Sequence, residues 1–310
     1  MSDREILCED LTLALENLQR EGYRLDVIYP ADDPHTAVLT RDDGSIRLTS
    51  RPGEPAPSGS LPPFVPEFVC TRGGGSGEGR AGMFYRDLIP GRLGGRYIAS
   101  HITIVDGGPV ADWVHFHCIA LQLICVRSGW VRVVYEDQGE PFTMHAGDVV
   151  LQPPGIRHRV LESSPGLEVV EITAPALHET FADHDLNLPT AGIAGEREFG
   201  GQRFVRHIAA TTPWTPFHGG EAQNTAIELA TGGLAEVRII RPAGPIVTLP
   251  PHDRELVFGF VLEGSARLDF DESQDLGSGD AFVIPPSAAW SLSDMSPDLR
   301  LLHVTTSQLG

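Results

Sequence analysis

The stretch Val114-His115-Phe116-His117-Cys118-Ile119-Ala120-Leu121-Gln122 sets two imidazoles one residue apart in an otherwise apolar run and follows them with an amide. Successive side chains of a strand point to opposite faces, so His115 and His117 share a face, with Trp113 beside them. Gln122 falls on the same strand after a bend, or on the next one. Further along, Gly147-Asp148-Val149-Val150-Leu151-Gln152-Pro153-Pro154-Gly155-Ile156-Arg157-His158 delivers a third histidine after a Gly/Pro turn. A lone histidine in such a run is usually a satisfied core residue. Three at these spacings, with an oxygen donor and a coordination position left open, have the form of a catalytic metal site.

Outward from this stretch the chain is short-stranded. From about residue 82 to the C-terminus, runs of β-branched and aromatic residues recur between Gly, Pro and Asp turns with hardly any helical periodicity. The pattern also repeats. GWVRVVYEDQGEPFTMHAGDVVLQPP from Gly129 returns as GSARLDFDESQDLGSGDAFVIPP from Gly264, the glycine pairs 129/264 and 147/279 being offset by 135 and 132 residues. Such a repeat implies two similar β domains in tandem. Before them, Leu7, Leu11, Leu15 and Leu18 have helical spacing in a segment starting at Ile6, and YRLDVIYPADDPHTAVLTRDDGSIRLTSRP reads as three strands broken by Asp-Asp-Pro and Asp-Asp-Gly turns. The expected division is an α+β segment at 1–51, a Gly/Pro-rich linker at 52–81, a metal-binding β domain at 82–185, a linker at 186–215 and a degenerate second copy at 216–310.

Composition bounds the partners. A 310-residue chain with 41% apolar residues can bury a core in each of two domains, and a formal charge of −19 repels phosphate backbones and anionic lipid. Nucleic acid and membrane are excluded on that ground, and a small-molecule substrate is expected, with a homodimer as an open expectation. No signal-peptide core opens the chain, so a cytoplasmic location is expected. Cys8, Cys70, Cys118 and Cys125 have no zinc spacing and read as reduced, structural thiols.

The residues around the two histidine motifs resemble the cupin family. Gly108, His115, His117, Gln122 and Gly129 follow its first motif with one gap a residue longer, and Gly147, Pro153, Gly155 and His158 match the core of its second; Glu162 stands where an asparagine often closes it. The resemblance covers roughly residues 82–310 and implies a mainly β protein of two tandem jelly-roll barrels, a bicupin, with the small α+β segment, loosely similar to half of a glyoxalase-like module, in front. It implies His115, His117, Gln122 and His158 as ligands of one divalent transition metal: zinc, iron, nickel, manganese or copper. In the second copy Pro250, Val257 and Trp290 replace the first histidine, the acid and the last histidine, and only His252 remains. That copy is expected to hold no metal and to serve as a structural partner.

The family's usual glutamate is Gln122 here. Three imidazoles and an amide leave a divalent ion its full charge, which favours polarising a carbonyl or enolate over stabilising a higher oxidation state. The resemblance and this departure together imply a non-redox isomerase, cyclase or lyase acting on a small oxygen-rich, carbonyl-bearing substrate. A cupin dioxygenase and a non-enzymatic ligand-binding or sensor module are the alternatives. His101, just ahead of the motif, is the candidate acid or base, against the plain reading of a satisfied strand histidine. Arg96, Tyr97 and Glu171 flank the same domain, Trp113 reads as pocket wall or core, His145 as an exposed turn residue, and Arg157 and Arg159 should point away from His158.

Overall fold

A computed structural model describes residues 4–79 and 82–309. The three N-terminal strands form as the turn signals predict, at Arg24–Tyr29, Thr36–Arg41 and Gly44–Thr49. The helix starts later than its leucine spacing suggests, at Leu11–Arg20, because the Asp10 carboxylate accepts from the Leu13 amide and caps it there. Ile6 and Leu7 instead lie in the strand Arg4–Leu7, which pairs in parallel with Gly44–Thr49.

Each cupin-like unit is two facing sheets. In the first unit one sheet runs Phe142–His145, Trp130–Tyr135, His158–Ser163, His115–Phe116 and Thr180–Ala182, and the other centres on Val149–Leu151, Leu121–Ser128, Leu167–Ala174 and Ile98–Ile104. The second unit repeats this, with Leu256–Glu263 and Arg300–Thr306 central to one sheet and Trp290–Ser293 and Ser265–Asp269 to the other. Among the described strands no sheet closes on itself, so the expected barrels are open jelly-roll sandwiches.

The open edges are covered by chain from outside each unit. Residues 52–81, too rich in Gly and Pro to fold alone, contribute Val69–Thr71 to the second unit, paired with Ala281–Val283, and Gly77–Glu78 to the first, paired with Phe84–Asp87. Similarly Val205–His207, within the span expected to link the units, pairs with Val149–Leu151. The N-terminal sheet joins the first unit edge to edge: Val27 and Ile28 pair with Phe181 and Thr180, and Phe181 pairs in turn with Phe116 of the histidine strand. Borrowed strands saturate edge N–H and C=O groups that would otherwise recruit other chains.

The strand Leu121–Ser128 is apolar on both faces as far as Val126, Gln122 apart, because both faces are buried there. Leu121, Leu123 and Cys125 pack with Phe258, Phe260, Leu302 and Val304 of the second unit in one core cluster. Gln122 and Ile124 face the interior of the first. Each large apolar side chain buried there contributes roughly 1.5–3 kcal/mol, so the two units share a core. A polar latch closes the seam: Arg96 Nε donates to Glu255 Oε1 at 2.7 Å and its Nη2 to Oε2 at 3.1 Å, and the Tyr97 hydroxyl donates to Oε1 at 2.9 Å. Arg96 and Tyr97 therefore join the units and are not part of a cavity wall. All four cysteines are free, and no helix among the described residues is long and apolar enough to cross a membrane.

Candidate metal centre

His115 opens the short strand His115–Phe116 and lies directly opposite His158 on the neighbouring strand. His117 follows two residues on, so strand alternation returns it to the same side. The three imidazoles are buried, and one nitrogen of each lies within 4.8 Å of the others, a group able to hold a metal ion. Their orientation comes from the backbone. Nδ1 of His115 donates to the Trp113 carbonyl at 2.8 Å, that of His117 to the Glu179 carbonyl at 3.1 Å and that of His158 to the Ile156 carbonyl at 3.0 Å. A carbonyl only accepts, so Nδ1 is the donor in each ring, and in the neutral imidazole that leaves Nε2 as the metal-binding atom. The Asp112 carboxylate, 3.5 Å from His115 Nδ1, and the Tyr135 ring, stacked on His158 at 5.6 Å, support the same orientations.

These rings line a cavity of about 80 Å³. Its wall is mostly apolar: Ile102, Ile104, Ile124, Val131, Met144 and Val169 face it, and among the described residues Glu171 is its one carboxylate. Gln122 shares the cavity and donates from Nε2 to Glu171 Oε1 at 3.0 Å, where the Thr173 hydroxyl also donates at 3.2 Å. An ionised carboxylate only accepts, so it fixes the amide with nitrogen towards Glu171 and leaves the carbonyl oxygen as the donor atom for a cation. The negative charge missing at position 122 thus returns one strand away.

The remaining candidates divide by face. Ile102 and Ile104 face the cavity, and His101, adjacent to Ile102 in alternation, faces the seam between the units. There His101 is 2.7 Å from Glu168 Oε2 and 3.2 Å from Arg86 Nη2, with its ring 5.7 Å from that of Phe260. Burial, followed by the Arg86 charge, lowers its pKa. The structure does not bring His101 to the three-histidine group. Trp113 packs against the core of the N-terminal module, its ring edge-on to His115 at 5.3 Å. Arg157 does point away, onto Asp183 at 2.9 Å and the Phe116 ring. Arg159 is among the residues bordering the cavity, but it is exposed and stands between His158 and Val160 on the strand, so alternation turns its side chain away from theirs. His145 is exposed.

The sequence reading missed His178. It is buried, its ring is 5.3 Å from that of His117, and its Nδ1 donates to the Pro175 carbonyl at 3.0 Å. Nε2 has no hydrogen-bond partner, and burial holds the imidazole below its ordinary pKa despite the nearby Glu171 charge. Its segment APALHET has no motif spacing, so only the return of the chain reveals it. Ala31, just past the N-terminal strand Arg24–Tyr29, also lines the cavity, which places the N-terminal module at the wall of the site.

No protein-family model and no curated protein matches the sequence. Solved structures do. The chain is similar to an oxalate decarboxylase of Bacillus subtilis, at 12% identity over 82% of this chain and 80% of that one, with a TM-score of 0.56. A tryptophan-to-phenylalanine variant of that enzyme gives a TM-score of 0.57 at 12% identity, covering 81% and 80%. A glycine-to-alanine variant of salicylate 1,2-dioxygenase from Pseudoaminobacter salicylatoxidans gives 0.51 at 16% identity over 72% of this chain and 75% of that one. At such identities the likeness speaks to fold, and the fold is that of a bicupin. Nothing in these matches bears on the glyoxalase-like reading of residues 1–51.

Proposed function

We propose that the first unit is a mononuclear metal enzyme of non-redox type, an isomerase, cyclase or lyase acting on a small carbonyl-bearing molecule with an apolar body. One observation carries the reading: three imidazoles locked in the metal-binding tautomer converge in an apolar cavity that has a single carboxylate, Glu171. His115, His117 and His158 would hold one divalent transition metal through Nε2, with the Gln122 carbonyl oxygen as fourth donor. When bound, the metal supplies a positive centre that polarises a carbonyl or steadies an enolate oxygen.

The chain's own residues do the rest. Glu171 Oε1 is engaged by Gln122 and Thr173, so Oε2 is the oxygen that takes a proton from the carbon next to the carbonyl and returns it. The aliphatic wall excludes water, which strengthens every charge interaction inside. The apolar lining revises the oxygen-rich substrate expected from the sequence. Bacillus subtilis oxalate decarboxylase is described with Mn(II) centres, which supports a transition metal here without choosing one.

The test is hydrogen–deuterium exchange next to the carbonyl of small 2-oxo acids and diketones in deuterium oxide, under argon and under air, with metal content measured in parallel. Exchange independent of oxygen and lost with the metal is expected. The apolar wall and the dioxygenase neighbour favour one second reading, an oxygen-dependent cleavage, and turnover only under air would replace the first reading with it.

A further inference from the structure

We infer that the interior of the second unit is a binding site for a small carboxylate, at the place where the first unit gathers its imidazoles. The two strand registers superpose there. Gln122 faces Thr173 and Ile124 faces Glu171 in the first unit; Val257 faces Thr305 and Gly259 faces His303 in the second, at the offsets of the sequence repeat. The proton-transfer position Glu171 thus corresponds to His303, and the metal position His158 to Trp290.

The chemistry left there is unpaired. Among the described residues fifteen buried side-chain N and O atoms have no hydrogen-bond partner, and seven belong to this one neighbourhood: Arg238 Nε, both ring nitrogens of His252 and of His303, Trp290 Nε1 and Thr305 Oγ1. They are mutually close. The rings of Trp290 and His303 are 5.7 Å apart, Arg238 is the cross-strand partner of His303, and the charges of Arg238, His252 and His218 are all felt by His303. His303 and Thr305 alternate with Leu302 and Val304, which face the inter-unit core, so both point into the second unit with Trp290. Buried polar atoms are nearly always paired, so a cluster of unpaired ones marks something bound.

Its donor balance selects the class. Trp290 and Arg238 Nε can only donate, each neutral imidazole donates once, and Thr305 adds a hydroxyl. Of the carboxylates nearby, Glu236 is already paired with Arg238, and Asp253 lies beside His252 on the exposed side. A two-oxygen anion accepting several N–H bonds answers this set. A metal does not, because among the described residues His115, His117 and His158 are the only cluster with ligand nitrogens within 4.8 Å of one another. The ligand sits in the unit without the metal, so the inference stands apart from the function proposed for the first.

The test follows the Trp290 indole N–H resonance of the full-length ¹⁵N-labelled protein, assigned with Trp290→Phe, during titration with sodium acetate and, as ionic-strength control, sodium chloride. A saturable shift with acetate alone is expected, weakened at least tenfold in His303→Phe while metal content and the circular dichroism spectrum stay unchanged. An indole resonance indifferent to acetate, with exchange peaks to long-lived water, would overturn the inference in favour of a buried water cluster. Uptake of a second metal equivalent that His303→Phe removes would overturn it as well.

Discussion

Where the first unit presents His158 stacked on Tyr135, the second presents Trp290, and where the first has Ile124 beside Val150, the second has Gly259 beneath the ring of Phe282. A Cβ on Gly259 would lie 2.2 Å from that ring, so the exchange is reciprocal: the phenyl fills the room the missing side chain vacates. The first unit keeps an open cavity against its imidazoles, and the second gives the part of that volume beside Gly259 to the Phe282 ring. The pair teaches that one strand framework can be emptied for chemistry or filled for stability by substitutions at facing positions. The interior-facing residues can change while the inter-unit face of each central strand stays apolar, because alternation separates the two.

The sharpest way to break the contrast is to remove one motif histidine from each unit. His158→Ala should abolish metal binding and activity together, since two imidazoles and an amide make a poor site, and His252→Ala should leave both as they were. Metal analysis of the two variants decides it, and a second equivalent lost with His252 would erase the distinction between the units.

Next in size is Glu171→Gln, at the position where the units differ as carboxylate and imidazole. Loss of the base should lower kcat by roughly 10²–10⁴-fold with the metal still bound. A variant that loses its metal instead would make Glu171 a support for Gln122 and not the proton-transfer group.

The seam is tested by Glu255→Ala. Glu255 answers Arg96, Tyr97 and the Leu309 amide in a buried place, and removing one partner of a buried ion pair typically costs about 3–5 kcal/mol. Denaturant unfolding should show that loss, with metal content under native conditions unchanged. Gln122→Glu is expected to do less: tighter metal retention and a rate reduced on the order of tenfold, as an added carboxylate lowers Lewis acidity. A faster enzyme would show that the amide oxygen is not a ligand.

The smallest effect concerns pH. Burial, helped by the Arg238 charge, pushes the His303 pKa down to about 3, against about 6.5 in an unfolded chain. Between those values the unfolded state binds a proton that the folded state refuses, so stability is fully present above about pH 6.5 and declines as pH falls towards 3. His303→Phe should flatten this slope in part, because burial also lowers the pKa of His101, His178, His207 and His252. Melting temperatures of both proteins across that range would show it; identical slopes would mean that His303 titrates in the fold as it does in the unfolded chain.

The tandem β repeat and the grouping of His115, His117 and His158 were legible in the sequence. Each rests on something local: two-residue alternation along a strand, Gly and Pro at turns, and a spacing that brings ligands together within one motif. The placements of His101, Glu171 and His178 were not, nor was the use of the Gly/Pro-rich span as edge strands. His101 sits one residue from Ile102 in sequence but on the opposite face of the strand, and alternation cannot say which face is the cavity and which the seam. Glu171 meets Gln122 only across a pair of strands nearly fifty residues apart in sequence, and Val69–Thr71 finds order only against Ala281–Val283. Local propensity writes the strands into the sequence, but which face of each is buried against what is fixed by pairing between distant segments, and that only the tertiary structure decides.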